Sequence, residues 1–150
     1  SKLATALDCR AYTPVATLFV HGTADRLSPH SGRPTGREGI GRRYLGVNLS
    51  AEATLEHWAA RHGCTGFERT WLDHHDDGTR VERRRFTGCT APLEHYIVHG
   101  GGHTWPGAVE PRRRWLRRLL GPTSREFDTG RIALDLWLGD PTSPTRTERP

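Results

Sequence analysis

The sequence predicts an α/β fold built on a doubly wound sheet. Two short apolar runs, VATLFV at 15–20 and YIV at 96–98, have the continuity of strands buried on both faces of a parallel sheet. The first runs into His21-Gly22 and the second into Gly100-Gly101-Gly102-His103. Two segments with helical periodicity complete the pattern, one between these runs and one after them.

After the first strand comes a Pro- and Gly-rich loop from Ser28 to about Gly41. Residues 50–62 read as a helix: Ser50 is a good N-cap, and Glu52 sits in the first turn, where the helix dipole favours negative charge. Leu55, Trp58, Ala59 and His62 fall at i, i+3, i+4 and i+7 as one buried stripe, and Gly63 is placed to end the helix. Residues 67–72 and 80–86 read as two strands around a hairpin turn at Asp76-Asp77-Gly78. A last helix is expected from Thr123 or Ser124 to Leu138, with Thr123-x-x-Glu126 as a capping box and Gly139 and Pro141 as stops. Phe127, Leu134, Trp137 and Leu138 fall on one side of it, and Gly130 within it costs roughly 1 kcal/mol against alanine. The Pro-, Thr- and Arg-rich stretch 140–150 is expected to be a disordered tail, leaving 1–139 as one structured unit without internal repeats.

Composition sets bounds on function. At 150 residues the chain holds one domain with a modest core, and 34% hydrophobic residues with a mean hydropathy of −0.68 confine the apolar material to these few segments. No run approaches the ~18 apolar residues of a membrane span. The opening Ser1-Lys2-Leu3 shows no signal peptide. The net charge of +5 comes almost wholly from arginine, Lys2 being the only lysine. A basic surface suits nucleic acid or anionic membranes. Yet Arg83-Arg84-Arg85 and Arg112-Arg113-Arg114 with Arg117-Arg118 are short and carry no nucleic-acid motif, so they read as a compositional preference. Neither a nucleic-acid nor a membrane partner is expected. Cys9, Cys64 and Cys89 form no CxxC pair, which leaves zinc ribbons and thioredoxin-like chemistry unsupported.

Chemistry concentrates at two strand ends. One gives His21-Gly22-Thr23-Ala24-Asp25 and the other Gly100-Gly101-Gly102-His103-Thr104-Trp105-Pro106-Gly107. Catalytic groups in doubly wound sheets lie beyond the carboxyl ends of strands, where Asp25 and His103 both fall. A carboxylate that accepts the Nδ1 proton of an imidazole fixes its tautomer and stabilises the imidazolium formed when it deprotonates a nucleophile. The order acid then histidine, with a nucleophile earlier, is that of α/β-hydrolases. The three glycines match no phosphate-cradle pattern and read as a tight path that places the imidazole.

Other clusters carry less. His74-His75-Asp76-Asp77 resembles a metal site on paper, but adjacent strand residues point to opposite faces, so a solvated turn is expected. His99 and His103 are four apart, yet three intervening glycines preclude a helical zinc motif, and no metal or organic cofactor is expected.

HGTAD with Ser28-Pro29, the SAEATLEHWAARHGC helix, DDGTRVERRRFTGC and HYIVHGGGHTWPG together resemble secreted polyhydroxybutyrate depolymerase-like esterases, a group overlapping with feruloyl and acetylxylan esterases. The resemblance spans about Pro14 to Leu138 and covers the C-terminal half of an α/β-hydrolase, with a β-hairpin insertion and a C-terminal helix. It implies that Asp25 is the triad acid and His103 the base, that Trp105 lines the acyl or sugar pocket, and that Cys64 and Cys89 are bonded. A buried anchor for the loop is the other reading of Trp105. Cys9 would then pair with a cysteine upstream. The implied substrate is an ester of a polyester or plant cell wall, and the implied setting is extracellular.

In that family the nucleophile lies in a G-x-S-x-G elbow upstream of HGTAD. No serine here has glycines at minus two and plus two; Ser31 and Ser50 both fail. The sequence therefore carries two of three catalytic parts, with the missing N-terminal half of the domain as the expected partner, and the chain alone is expected to be inactive. The rival expectation is a non-catalytic polymer- or carbohydrate-binding module that uses Trp105 and Trp115.

Overall fold

A computed structural model describes residues 13–32 and 49–139. Its centre is a mixed four-stranded sheet of strands β1 (Thr17–Gly22), β2 (Gly66–Leu72), β3 (Arg80–Thr87) and β4 (Leu93–His99) in the order β1-β4-β3-β2. β1 and β4 run parallel, while β4–β3 and β3–β2 are antiparallel. Three helices accompany them: α1 (Ala51–Arg61), α2 (Arg114–Leu120) and α3 (Thr129–Leu138). This is an α/β fold.

The period of two along each strand sorts side chains to two faces. Leu18, Val20, Tyr96, Val98, Val81 and Leu72 meet on one face and pack with Phe127 and Ile132 from the α3 region. Tyr96 and Phe127 stack with ring centroids 4.7 Å apart. Phe19 and His95 point to the other face, beneath α1, where Phe19 lies 6.4 Å from Trp58. α1 begins as its sequence implies, with the Ser50 hydroxyl accepting the Ala53 N–H, and it buries Ala51, Thr54 and Leu55. Cys64 and Cys89 form a disulfide at the base of the β2–β3 hairpin.

Three expectations need correction: the burial of the first strand, the start of the last helix and its capping box. The run at 15–20 is not buried on both faces: Thr17 to His21 are only half-buried, because β1 is a sheet edge among the described residues. The hairpin forms around Asp76-Asp77-Gly78 as expected, its strands joined by the seven-residue connection 73–79. Asp77 organises that connection by accepting the Thr79 N–H and hydroxyl on Oδ1 and the Arg125 N–H on Oδ2.

The last helix starts at Thr129, capped by Asp128, not at Thr123 or Ser124. The expected capping box fails because the Glu126 carboxylate instead accepts the N–H groups of His74 and His75. Its buried face carries Thr129 and Ala133, while Leu134, Trp137 and Leu138 are exposed. α2 was not anticipated at all. It has no side-chain cap, buries no residue and ends at Gly121 with φ of 84°. Cys9, the loop beyond residue 32 and the tail 140–150 lie outside the described residues.

Candidate functional site

Parallel pairing of β1 with β4 sets Gly22 opposite Val98, so both chains leave the sheet at the same end. The two exits are then stitched together: Thr23 N–H donates to the Val98 carbonyl and Ala24 N–H to the Gly101 carbonyl, each at 2.9 Å. Gly22 is needed here because a Cβ would collide with the carbonyl oxygens of Gly101 and Gly102. Gly102 is equally tight against Leu120 and Gly121, and the His103 N–H donates to the Leu120 carbonyl at 2.6 Å. The glycine run thus threads between β1 and the end of α2 and delivers His103 to Asp25.

Asp25 and His103, 78 residues apart in sequence, meet with Nδ1 2.8 Å from Oδ2. The other oxygen, Oδ1, accepts the N–H groups of Leu27 at 2.9 Å and Ser28 at 2.7 Å. Burial alone would raise the Asp25 pKa, but the Ser28 amide, the hydrogen bond and charge of His103, and the Leu27 amide outweigh it and hold the carboxyl below the ordinary aspartate value. The aspartate side chain is buried, whereas the His103 side chain is 50% exposed. The only side-chain hydrogen bond of His103 among the described residues is the one at Nδ1, so Nε2 is open. An imidazole held at Nδ1 and open at Nε2 is arranged to take a proton from a group in front of it. No described hydroxyl bonds to it.

The couple opens on a cavity of about 500 Å³ with an apolar wall of Phe19, Val20, Ala51 and Val98. Trp105 lines it and is 60% exposed. The sequence did not single out His95, which lines the same cavity at 1% exposure. Its Nδ1 has no hydrogen-bond partner among the described residues. Burial, then the charges of Arg84, His30 and His21, push its pKa down to about 3. The only sequence signal for it was alternation: His95, unlike Tyr96, points to the α1 side of β4. His21 is also in the cavity wall, with Nε2 2.9 Å from the Ser28 carbonyl.

Among the described residues no group of three or more His, Cys, Asp or Glu side chains is arranged to hold a metal. None of the described helices is long and apolar enough to cross a membrane. The Arg83-Arg84-Arg85 cluster is neutralised inside the sheet: Arg83 and Arg85 bond to Glu94, and Arg84 bonds to Glu82 and Glu52.

No protein-family model matches the chain, and no solved structure matches it. A curated protein of Nocardia uniformis subsp. tsuyamanensis, named "Putative esterase NocK", is 29% identical over 151 residues, 88% of this chain. The chain is esterase-like in sequence. It spans 40% of the length of that relative. The Cys64–Cys89 disulfide fits an oxidising, extracellular setting.

Proposed function

We propose that this chain supplies the acid and base of a serine carboxylesterase of the α/β-hydrolase type, close to the polyhydroxybutyrate depolymerase and feruloyl esterase group. One observation carries the reading: the 2.8 Å pairing of a buried aspartate with a half-exposed histidine beyond the carboxyl ends of adjacent parallel strands. Similarity to the protein named "Putative esterase NocK" supports it.

A serine from chain outside these 150 residues would place its hydroxyl at His103 Nε2. As the serine oxygen attacks the ester carbonyl, His103 takes its proton, and Asp25 stabilises the resulting imidazolium. His103 then gives that proton to the departing alcohol, leaving an acyl-serine. Water repeats the sequence: its oxygen bonds to the acyl carbon as His103 takes its proton, the acyl–serine bond breaks to release the carboxylic acid, and the proton returns to the serine oxygen. The cavity beside Trp105 takes the acyl group or alcohol, and Trp105 lines it.

The test is to read the in-frame sequence upstream for G-x-S-x-G and to assay that longer product with p-nitrophenyl acetate. Turnover lost in His103→Ala is expected, while the 150-residue chain alone shows none. Hydrolysis by the short chain that is sensitive to a serine-directed phosphonate contradicts the reading. A second reading, a polymer- or carbohydrate-binding module, would use the exposed rings of Trp105 and Trp115. Retention on cellulose, xylan or polyester beads that is unchanged in Asp25→Ala supports that one.

A further inference from the structure

The two arginine clusters of the sequence have opposite fates. The one on β3 is consumed by Glu52, Glu82 and Glu94. The one on α2 is not. Arg114, Arg117 and Arg118 stand at i, i+3 and i+4, one face of the helix. Only Arg117 has an acidic partner there, Glu110 at 3.6 Å, and neither Arg114 nor Arg118 makes an ion pair or hydrogen bond among the described residues. These three line a cavity of about 510 Å³ together with Arg26 and Glu110. Three guanidiniums of α2, two of them without an ion pair among the described residues, thus gather in one shallow surface pocket with a single carboxylate, Glu110.

Stability does not explain this arrangement. α2 buries no residue, so its arginine stems cover no core, and like charges on one helix face repel. Position does suggest a use. Arg26 follows Asp25 in sequence, and Gly121, also in the cavity wall, packs so closely on Gly102 that a Cβ would lie 3.0 Å from its Cα. The cavity thus adjoins the Asp25–His103 couple, on chain segments next to both residues.

The geometry points to this cavity as a binding site for a small oxyanion, a carboxylate or phosphate carried by the ester substrate. Guanidiniums stay charged at any working pH and match such groups with paired hydrogen bonds. Arg114, Arg117 and Arg118 share one short helix face, so their donors fall within the reach of a single carboxylate or phosphate. The substrate assignment rests on the esterase reading of Asp25 and His103; the binding itself does not.

Calorimetry at low salt on the intact serine-bearing product, titrated with glutarate and separately with inorganic phosphate, is expected to show saturable one-site binding. Arg114→Gln with Arg118→Gln weakens it about tenfold or more, removing two charge-assisted contacts, and Glu110→Gln tightens it about twofold. Arg131→Gln, which removes an exposed arginine on α3, leaves it unchanged. Absence of saturable binding, or equal weakening by Arg131→Gln, overturns the site. In parallel, the double variant is expected to lower kcat/KM for mono-4-nitrophenyl glutarate relative to 4-nitrophenyl butyrate by about tenfold, through KM. Turnover of both esters with that ratio unchanged overturns the substrate assignment while the esterase reading stands. Glutarate binding without turnover of either ester upholds the oxyanion site and removes the esterase reading instead. Tight binding to phosphatidylserine vesicles that glutarate does not displace overturns the proposal in favour of a membrane surface.

Discussion

At Asp25, two backbone amides and one imidazole converge on a carboxylate that solvent barely reaches. Replacement by asparagine keeps the shape but removes the charge and turns an N–H₂ toward Nδ1 or the amides. In the serine-bearing protein, Asp25→Asn is expected to cut kcat by roughly 10⁴-fold, as loss of tautomer control does in Ser-His-Asp enzymes, with little change in KM. His95 has a different signature. A base whose folded pKa lies below its unfolded value binds its proton first in the unfolded chain. Its contribution is therefore complete above pH 6.5 and is lost as pH falls toward about 3. Thermal or urea unfolding across that window is expected to show a slope of up to about 1.4 kcal/mol per pH unit, flattened in His95→Gln. An unchanged slope in that variant contradicts the assignment. That Asp25 and His103 come together was legible in the sequence, because each sits in a distinctive local string after an apolar run. His95 was not, since its burial comes from α1 crossing the opposite face of the sheet, a contact that no local pattern encodes.

Among the elements, those specified by neighbouring residues were readable and those specified across the fold were not. α1 carries its own cap and stripe, and β2 and β3 flank their own Asp-Asp-Gly turn. α3 shows the contrary case. Thr123 and Glu126 form a plausible cap, yet Ser124 accepts the Thr79 hydroxyl and Glu126 holds the hairpin connection, so the helix waits for Asp128. Asp128→Ala is expected to destabilise by about 1 kcal/mol, the usual value of an N-cap, whereas Thr123→Ala shows no capping loss. A larger loss at Thr123 in denaturant titration contradicts the cap assignment. α2 was hidden because nothing apolar anchors it; backbone contacts of Leu120 and Gly121 with the glycine run hold its end. The disulfide closes the hairpin across 25 residues, and by loop entropy alone its reduction is expected to remove roughly 3–4 kcal/mol. Comparing urea midpoints with and without reductant measures it.

At the scale of the molecule, the sheet formed by the described residues has an open side. β1 is an edge among the described residues, and beside it stand Val15, Leu134, Trp137 and Leu138, each more than half exposed, with the Trp137 indole N–H bonded to the Ala16 carbonyl. An apolar face next to an unpaired parallel edge is prone to association. The isolated 150-residue chain is expected to aggregate or to melt without a cooperative monomer transition. A sharp, concentration-independent transition by calorimetry and light scattering contradicts this. Acid adds a second stress. Despite burial, which raises them, amide, hydroxyl and arginine partners hold Asp77, Glu82 and Glu94 below their ordinary values. Their stabilisation is complete above the unfolded pKa of about 4 and is lost as pH drops through the folded values.

The link between Asp25 and His103 also reads out strand alignment. Both groups ride on strands bonded to each other, so sliding β1 by two residues along β4 would carry the aspartate about 6.6 Å away and break the 2.8 Å contact. Its bridging proton, resonating far downfield in an NMR spectrum, is therefore a spectroscopic gauge of registry. It would appear only once segments 78 residues apart have docked in the right frame, and a proton signal that vanishes before the sheet melts would mark slippage rather than unfolding.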